Sequence, residues 1–239
     1  MTIFSPTVSR AHSERAGFSI ATFVRENGLS LVLAVLFLAS TAAQIAFGLA
    51  AYNDDRAHMG QSAVALGTYL TSGHFLEALF ENWESEFLQM GIFVVLSVKL
   101  RQKGSAESKP IDESTESDED PRSHAHEPGV PWPVRRGGVA LVLYENSLAI
   151  AFSLLFAVSF AMHAVGGFMK TNDENLAQGR PPETFFAYWK SSQFWFESFQ
   201  NWQSEFLAVL AIVVLTIFLR QRGSPQSKPV AAPHDATGD

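Results

Sequence analysis

The sequence predicts an all-α integral membrane protein, a four-helix bundle made of two parallel repeated helical hairpins. Three observations carry this prediction. The run Leu29 to Ala51 holds no charge over about 23 residues, enough to cross a hydrocarbon core of about 30 Å at 1.5 Å per residue. The chain then repeats itself at an offset of 119 residues, Glu26 to Pro110 on Glu145 to Pro229, with about 32 identities in about 85 positions and no gap. Finally, Lys and Arg gather on one side of every apolar run.

Taken in order, residues 1–24 read as a cytoplasmic N-terminal tail and 25–110 as the first repeat, with spans at about 29–51 and 80–100. Residues 111–138 form an acidic linker, expected to be disordered and cytoplasmic. Its stretch Ile111 to Glu127 has about seven acids against one Arg and too little apolar area to fold. The second repeat covers 139–229, with spans at about 147–169 and 199–219, and 230–239 is a C-terminal tail. The apolar runs Phe87 to Leu100 and Phe206 to Leu219 are short, about 14 residues and so about 21 Å. Each reaches across only if the phrase before it, FENWESEF or FQNWQSEF, supplies one or two more turns.

Orientation follows from the basic residues. Arg10, Arg15 and Arg25 precede span one, Lys99, Arg101, Lys103 and Lys109 follow span two, and Arg135 and Arg136 precede span three. Arg220, Arg222 and Lys228 follow span four. Both termini and the linker are therefore expected on the cytoplasmic side. Two spans per copy return the chain to its starting side, so the copies are parallel repeats about an axis along the membrane normal. A cleaved signal peptide at Leu29 to Ala51 is the competing reading. It fits poorly, because the run exceeds an ordinary signal core and its copy lies in mid-chain.

The absence of Cys removes disulfides, thiolate ligands and thiol nucleophiles. The net charge of −7 comes mostly from the linker, and no basic stripe suited to nucleic acid is present. No P-loop, dinucleotide fingerprint, HExxH or GxSxG occurs. The chain is thus expected to be no enzyme, to need no cofactor or metal, and to have the lipid bilayer as its first partner. A second copy or another protein is left open as a further one.

Candidate site residues come from the repeated phrase. At 100° per residue, Trp83 and Phe87 share one helix arc while Asn82 and Glu86 share another; Trp202, Phe206, Asn201 and Glu205 repeat the pattern. Trp83, Phe87, Trp202 and Phe206 suit interfacial anchoring. The acids flanking each Trp in the first copy, Glu81 and Glu84, are Gln200 and Gln203 in the second, so their charge is dispensable to the shared pattern. Gln44 aligns with His163, two thirds of the way along spans one and three. The candidate polar cluster is therefore Gln44, Asn82, Glu86, His163, Asn201 and Glu205. Such groups serve interhelical hydrogen bonding, so the first expectation is a non-enzymatic structural or interaction protein; the alternative is a small proton or cation transporter or channel that uses the paired Glu86 and Glu205, with His163 among them.

The stretches RENGLSLVL (Arg25 to Leu33), YLTSGHFLEALFENWESEFLQM (Tyr69 to Met90) and RQKGSAESKP (Arg101 to Pro110) resemble a family of small four-span bacterial membrane proteins classed as a domain of unknown function. The resemblance spans nearly the whole chain beyond the N-terminal tail and the linker. It implies a bacterial inner-membrane location and brings no activity, substrate or site residue.

Overall fold

The computed structural model describes residues 19–238, and throughout them the regular structure is helical, with no strand. Arg10 and Arg15 of the N-terminal tail, and the last tail residue, lie outside the described residues. The chain divides into two units, residues 1–51 and 52–239. The described part of the first unit is helical from residue 20 onward; it belongs to α1, Ile20–His58, which continues into the second unit. In that second unit follow α2 (Leu66–Leu70), α3 (Gly73–Lys99), α4 (Trp132–Arg136), α5 (Gly138–Glu145), α6 (Ser147–Ala177), α7 (Phe185–Trp189) and α8 (Ser192–Phe218). Residues 116–118 and 121–124 of the linker each make a single 3-10 turn.

Among the described residues three helices are long and apolar enough to cross a membrane: α1, α6 and α8. The α3 helix equals α8 in length, 27 residues, but its first half carries Glu77, Glu81, Glu84 and Glu86. Its boundaries are set locally. The Ser72 hydroxyl accepts from the Phe75 amide at 3.3 Å and the Ser191 hydroxyl from that of Phe194 at 3.2 Å, capping α3 and α8. At the far ends the Arg101 and Arg220 guanidinium groups donate to the last carbonyls, Ser97 and Val98 in one helix and Thr216 and Ile217 in the other. Starting at Gly73 rather than near residue 80, α3 gains about two turns over the expected span, and α8, starting at Ser192 rather than near 199, does the same.

The second unit is built chiefly on α3 lying against α6, with α8 beside them. Small residues permit this approach. A side chain at Gly166 would meet the backbone of Leu76 at 2.9 Å, and one at Gly73 the Gly166 carbonyl at 2.6 Å. Farther along, one at Gly91 would press on Phe152 Cβ at 3.3 Å. With no hydrophobic force between helices in lipid, such close backbone packing is a main source of association. An aromatic layer closes the same end: Phe194, fully buried, packs on Phe160, Tyr188 and Trp195 at ring distances of 5.4, 5.6 and 5.4 Å.

Several local bonds recur at positions 119 residues apart. Asn53 exchanges two hydrogen bonds with the backbone of Val64, and Asn172 does so with Glu183. After α3, the Ser108 hydroxyl accepts from the Gln102 amide at 2.9 Å; after α8, Ser227 accepts from Gln221 at 2.9 Å. The two turns then diverge. The first receives the C-terminal segment, where the Gly104 amide donates to Thr237 Oγ1 at 2.8 Å and the Gly238 amide to the Ser105 carbonyl at 3.0 Å. Gly104 sits at φ +85°, and a side chain there would strike this segment at His234. Lys228, 1% exposed, holds the segment in shape by donating to the carbonyls of Pro233, His234 and Ala236.

Candidate functional site

The residues singled out from the repeated phrase take up separate positions. Asn82 donates back to the Ala78 carbonyl of its own helix at 2.8 Å. Asn201 does the same to Glu197 at 3.2 Å, and also reaches across to Glu81 Oε1 at 2.5 Å. Glu86 is exposed and Glu205 half-buried. Trp83 stacks edge-on with Phe80 at 5.3 Å and Trp202 with Phe199 at 5.2 Å. Phe87 lines an apolar cleft between α3 and α6, and Phe206 is 38% exposed. Gln44 lies in α1, within the first unit.

His163 is the candidate around which a site assembles. It is fully buried on α6, its Nδ1 pairs with Glu84 Oε2 of α3 at 2.9 Å, and its ring lies 5.0 Å from that of Phe194. Glu84 is equally buried, and its second oxygen accepts from the Trp202 indole N–H at 3.1 Å. Both carboxylate oxygens are thereby satisfied, as a buried charge requires. On the other face of the imidazole, Nε2 stands 3.8 Å from Glu197 Oε2 of α8, beyond hydrogen-bond reach. Glu197 Oε1 accepts from Gln193 at 2.6 Å.

A second pair lies seven residues away along both helices, about 10 Å at helical rise. Lys170 of α6 donates to Glu77 of α3 at 2.5 Å, with Glu77 buried and Lys170 about a third exposed. The spacing of Glu77, Glu81 and Glu84 (i, i+4, i+7) puts them on one face of α3, and His163 and Lys170 (i, i+7) share the facing side of α6. Helices running antiparallel bring 77 to 170 and 84 to 163. The glycine contacts at Gly73 and Gly166 hold the backbones close enough for these side chains to pair.

Lys170 also lines a small recess with Tyr52, Asp55, Arg56, His74, Asp173 and Glu174, so the string of charges opens at the helix ends. Past Glu84, toward the end of α3, it stops. The next surface along α3 and α6 is the cleft of Phe87, Gly91, Ile92, Val95, Phe152 and Phe156, about 230 Å³ and apolar but for Ser153. Among the described residues no three His, Asp or Glu side chains converge with metal-ligand geometry.

Sequence reasoning missed Glu77, Glu81, Glu84, Lys170 and Glu197 because it valued what the two halves share. Their counterparts 119 residues away are Phe196, Gln200, Gln203, Ala51 and Ala78, and that of His163 is Gln44. The buried group thus occupies positions where the halves differ. The spacing of the three acids on one face of α3 is the signal that could have found it.

No curated protein and no solved structure matches the chain. The family model described as domain of unknown function DUF6766 matches residues 20–239, and the chain belongs to that family.

Proposed function

We propose that the chain is a four-span protein of a bacterial inner membrane. Its two hairpin repeats run parallel in one four-helix bundle, both termini are cytoplasmic, and it moves protons by way of the acid–histidine–lysine group in the outer half. The boundaries are those read from the sequence, with repeats at 25–110 and 139–229 around the linker. The recurring bonds 119 residues apart support the duplication, and the antiparallel course of α3 and α6 supports α3 as a fourth span.

One observation carries the reading: four carboxylates, Glu77, Glu81, Glu84 and Glu197, surround two bases, Lys170 and His163, among apolar helices. A buried ion costs several kcal/mol unless paired, and ionisable groups within spans mark ion or proton pathways. Even with His163 charged, acids outnumber bases by two. Protons bound on the carboxyl groups are the simplest neutralisation, and the recess at Lys170 gives them an outer entrance. The apolar surface inward of Glu84 closes the inner side in this conformation, as alternating access requires.

That same apolar surface favours a second reading, a non-enzymatic structural or interaction protein whose charges only lock helices together. Proton flux into liposomes carrying the purified protein separates the two. Transport predicts a flux that Glu84→Gln abolishes and Glu205→Gln leaves intact. Wild-type protein that passes no protons under an imposed pH gradient or potential overturns transport and leaves the interaction reading.

A further inference from the structure

The charge string has a gap between its outer pair, Lys170–Glu77, and its inner group, Glu84–His163–Glu197. We propose that the hydroxyl of Tyr188 bridges this gap and hands protons between Glu77 and Glu197. The inference rests on the proton-accepting reading above and adds a residue that belongs to neither group.

Tyr188 lies on α7, a short helix whose start is capped by Thr184. It is 1% exposed, and its ring packs edge-on against Phe194 at 5.6 Å. That packing fixes the direction of the phenol. The hydroxyl enters the space that a side chain at Gly167 would fill, and Glu77 Oε1 is 3.0 Å from the same point. Gly167 therefore clears the approach of a phenol to a buried carboxylate. The carboxylates whose charge acts on that hydroxyl are Glu197 from α8, Glu77 and Glu81 from α3, and Glu183 from the loop before α7. Lys170 of α6 stands behind them bonded to Glu77, and His163 of α6 has its Nε2 3.8 Å from Glu197 Oε2.

Unpaired polar atoms concentrate in the same place. Tyr188 Oη, Glu197 Oε2, Ser198 Oγ and His163 Nε2 are all buried and lack a hydrogen-bond partner among the described residues. Buried polar atoms are normally satisfied, because each orphan forfeits its hydration. Orphans in the gap and on its inner side are what a relay needs, since a transferred proton must find a free lone pair at each step. The step balances without any further reactant. Neutral Glu77 gives its proton to the Tyr188 oxygen as Tyr188 gives its own to the Glu197 carboxylate; the phenol ends as it began, and the negative charge has moved from Glu197 to Glu77. From Glu197 the proton is 3.8 Å from His163 Nε2.

Trp202 supplies the readout, since its indole N–H bonds Glu84 and its emission responds to charge at that carboxylate. The full chain in liposomes is given a laser-induced pH jump, and the part of the emission that Trp202→Phe removes is followed in time. Wild type should show a transient whose amplitude Glu84→Gln abolishes. Tyr188→Phe, which keeps the ring on Phe194, should keep the amplitude and slow the transient at least about tenfold, as loss of a positioned proton-transfer group does. An unchanged rate in Tyr188→Phe, with the amplitude present, overturns the relay and leaves the proton site standing. A wild-type chain with no transient overturns the proton site, and the relay with it. Should the Phe variant fail to fold, 3-fluorotyrosine placed at position 188 keeps shape and hydroxyl while acidifying the phenol; a rate unmoved by it also overturns the proposal.

Discussion

The pairing of His163 with Glu84 lends itself to a cycle of two substitutions that the molecule itself suggests. The counterparts of these residues in the other half are Gln44 and Gln203, so His163→Gln and Glu84→Gln exchange each for its natural twin. A glutamine at 84 can still accept the Trp202 indole N–H, now made to Glu84 Oε1 at 3.1 Å, and can still hydrogen-bond to position 163. What changes is charge. His163→Gln removes one of two bases from among four carboxylates, and leaving a buried charge unpaired costs about 3–5 kcal/mol. Glu84→Gln removes one of the surplus acids and should cost less. The double variant replaces an ion pair by a neutral amide pair and should recover at least about 2 kcal/mol relative to the sum of the single effects. An ordinary interhelical hydrogen bond in a membrane is worth only about 0.6 kcal/mol, so the coupling energy distinguishes the two cases. Reversible unfolding in mixed detergent micelles, followed by helical circular dichroism, gives the four stabilities. Coupling at or below about 0.6 kcal/mol, or Glu84→Gln as costly as His163→Gln, would refute the charged-pair reasoning.

Three further expectations follow from other parts of the chain. Gly166→Ala should destabilise the fold by about 1–3 kcal/mol, because its new methyl meets the α3 backbone; Gly67→Ala, with open space around it, should be neutral or stabilising by up to about 1 kcal/mol in the same unfolding assay. In the linker, hydrogen bonds from Lys109 and Thr115 hold the Asp118 carboxyl down at about 2, against an ordinary 3.8. A depressed acid stabilises its fold above its ordinary value and loses that contribution as pH falls toward the lower one. Carboxyl carbon NMR should therefore show Asp118 ionised at pH 3, and Lys109→Ala should return it toward the ordinary range. His124, hydrogen-bonded to Glu127 and Glu119, is shifted above 6.5; the local turn it supports is favoured at low pH and loosens as pH rises through that higher value, and Glu127→Gln should bring the imidazole titration back down.

The long helices were legible because lipid demands a continuous apolar run, and Leu29 to Ala51 or Leu148 to Met169 can hardly read otherwise. The length of α3 was less so. Its first two turns, Gly73 to Phe80, carry a Gly, a His and a Glu, and they are helical because the Ser72 cap and contacts with Gly166 favour it, which hydropathy does not register. His163 stood out as a lone intramembrane base, yet its partner did not. Glu84 differs between the halves, so a search for shared residues passed over it in favour of Glu86, which the helix turns outward. Tyr188 is shared with Tyr69, but only the space at Gly167 reveals where its hydroxyl goes, and packing of that kind leaves no mark in a single sequence.

The seat of the C-terminal segment bears on how the protein can be handled. Gly238 is bonded to Ser105, and Thr237 to Gly104, while Ser105 also meets Thr216 of α8 at 3.1 Å. A reporter or affinity handle inserted between His234 and Gly238 would pull directly on the stitch that joins the trailing ends of α3 and α8. Gly223, the counterpart of Gly104, has nothing within 4 Å, so a short insertion at that turn would carry a label while leaving the stitch closed.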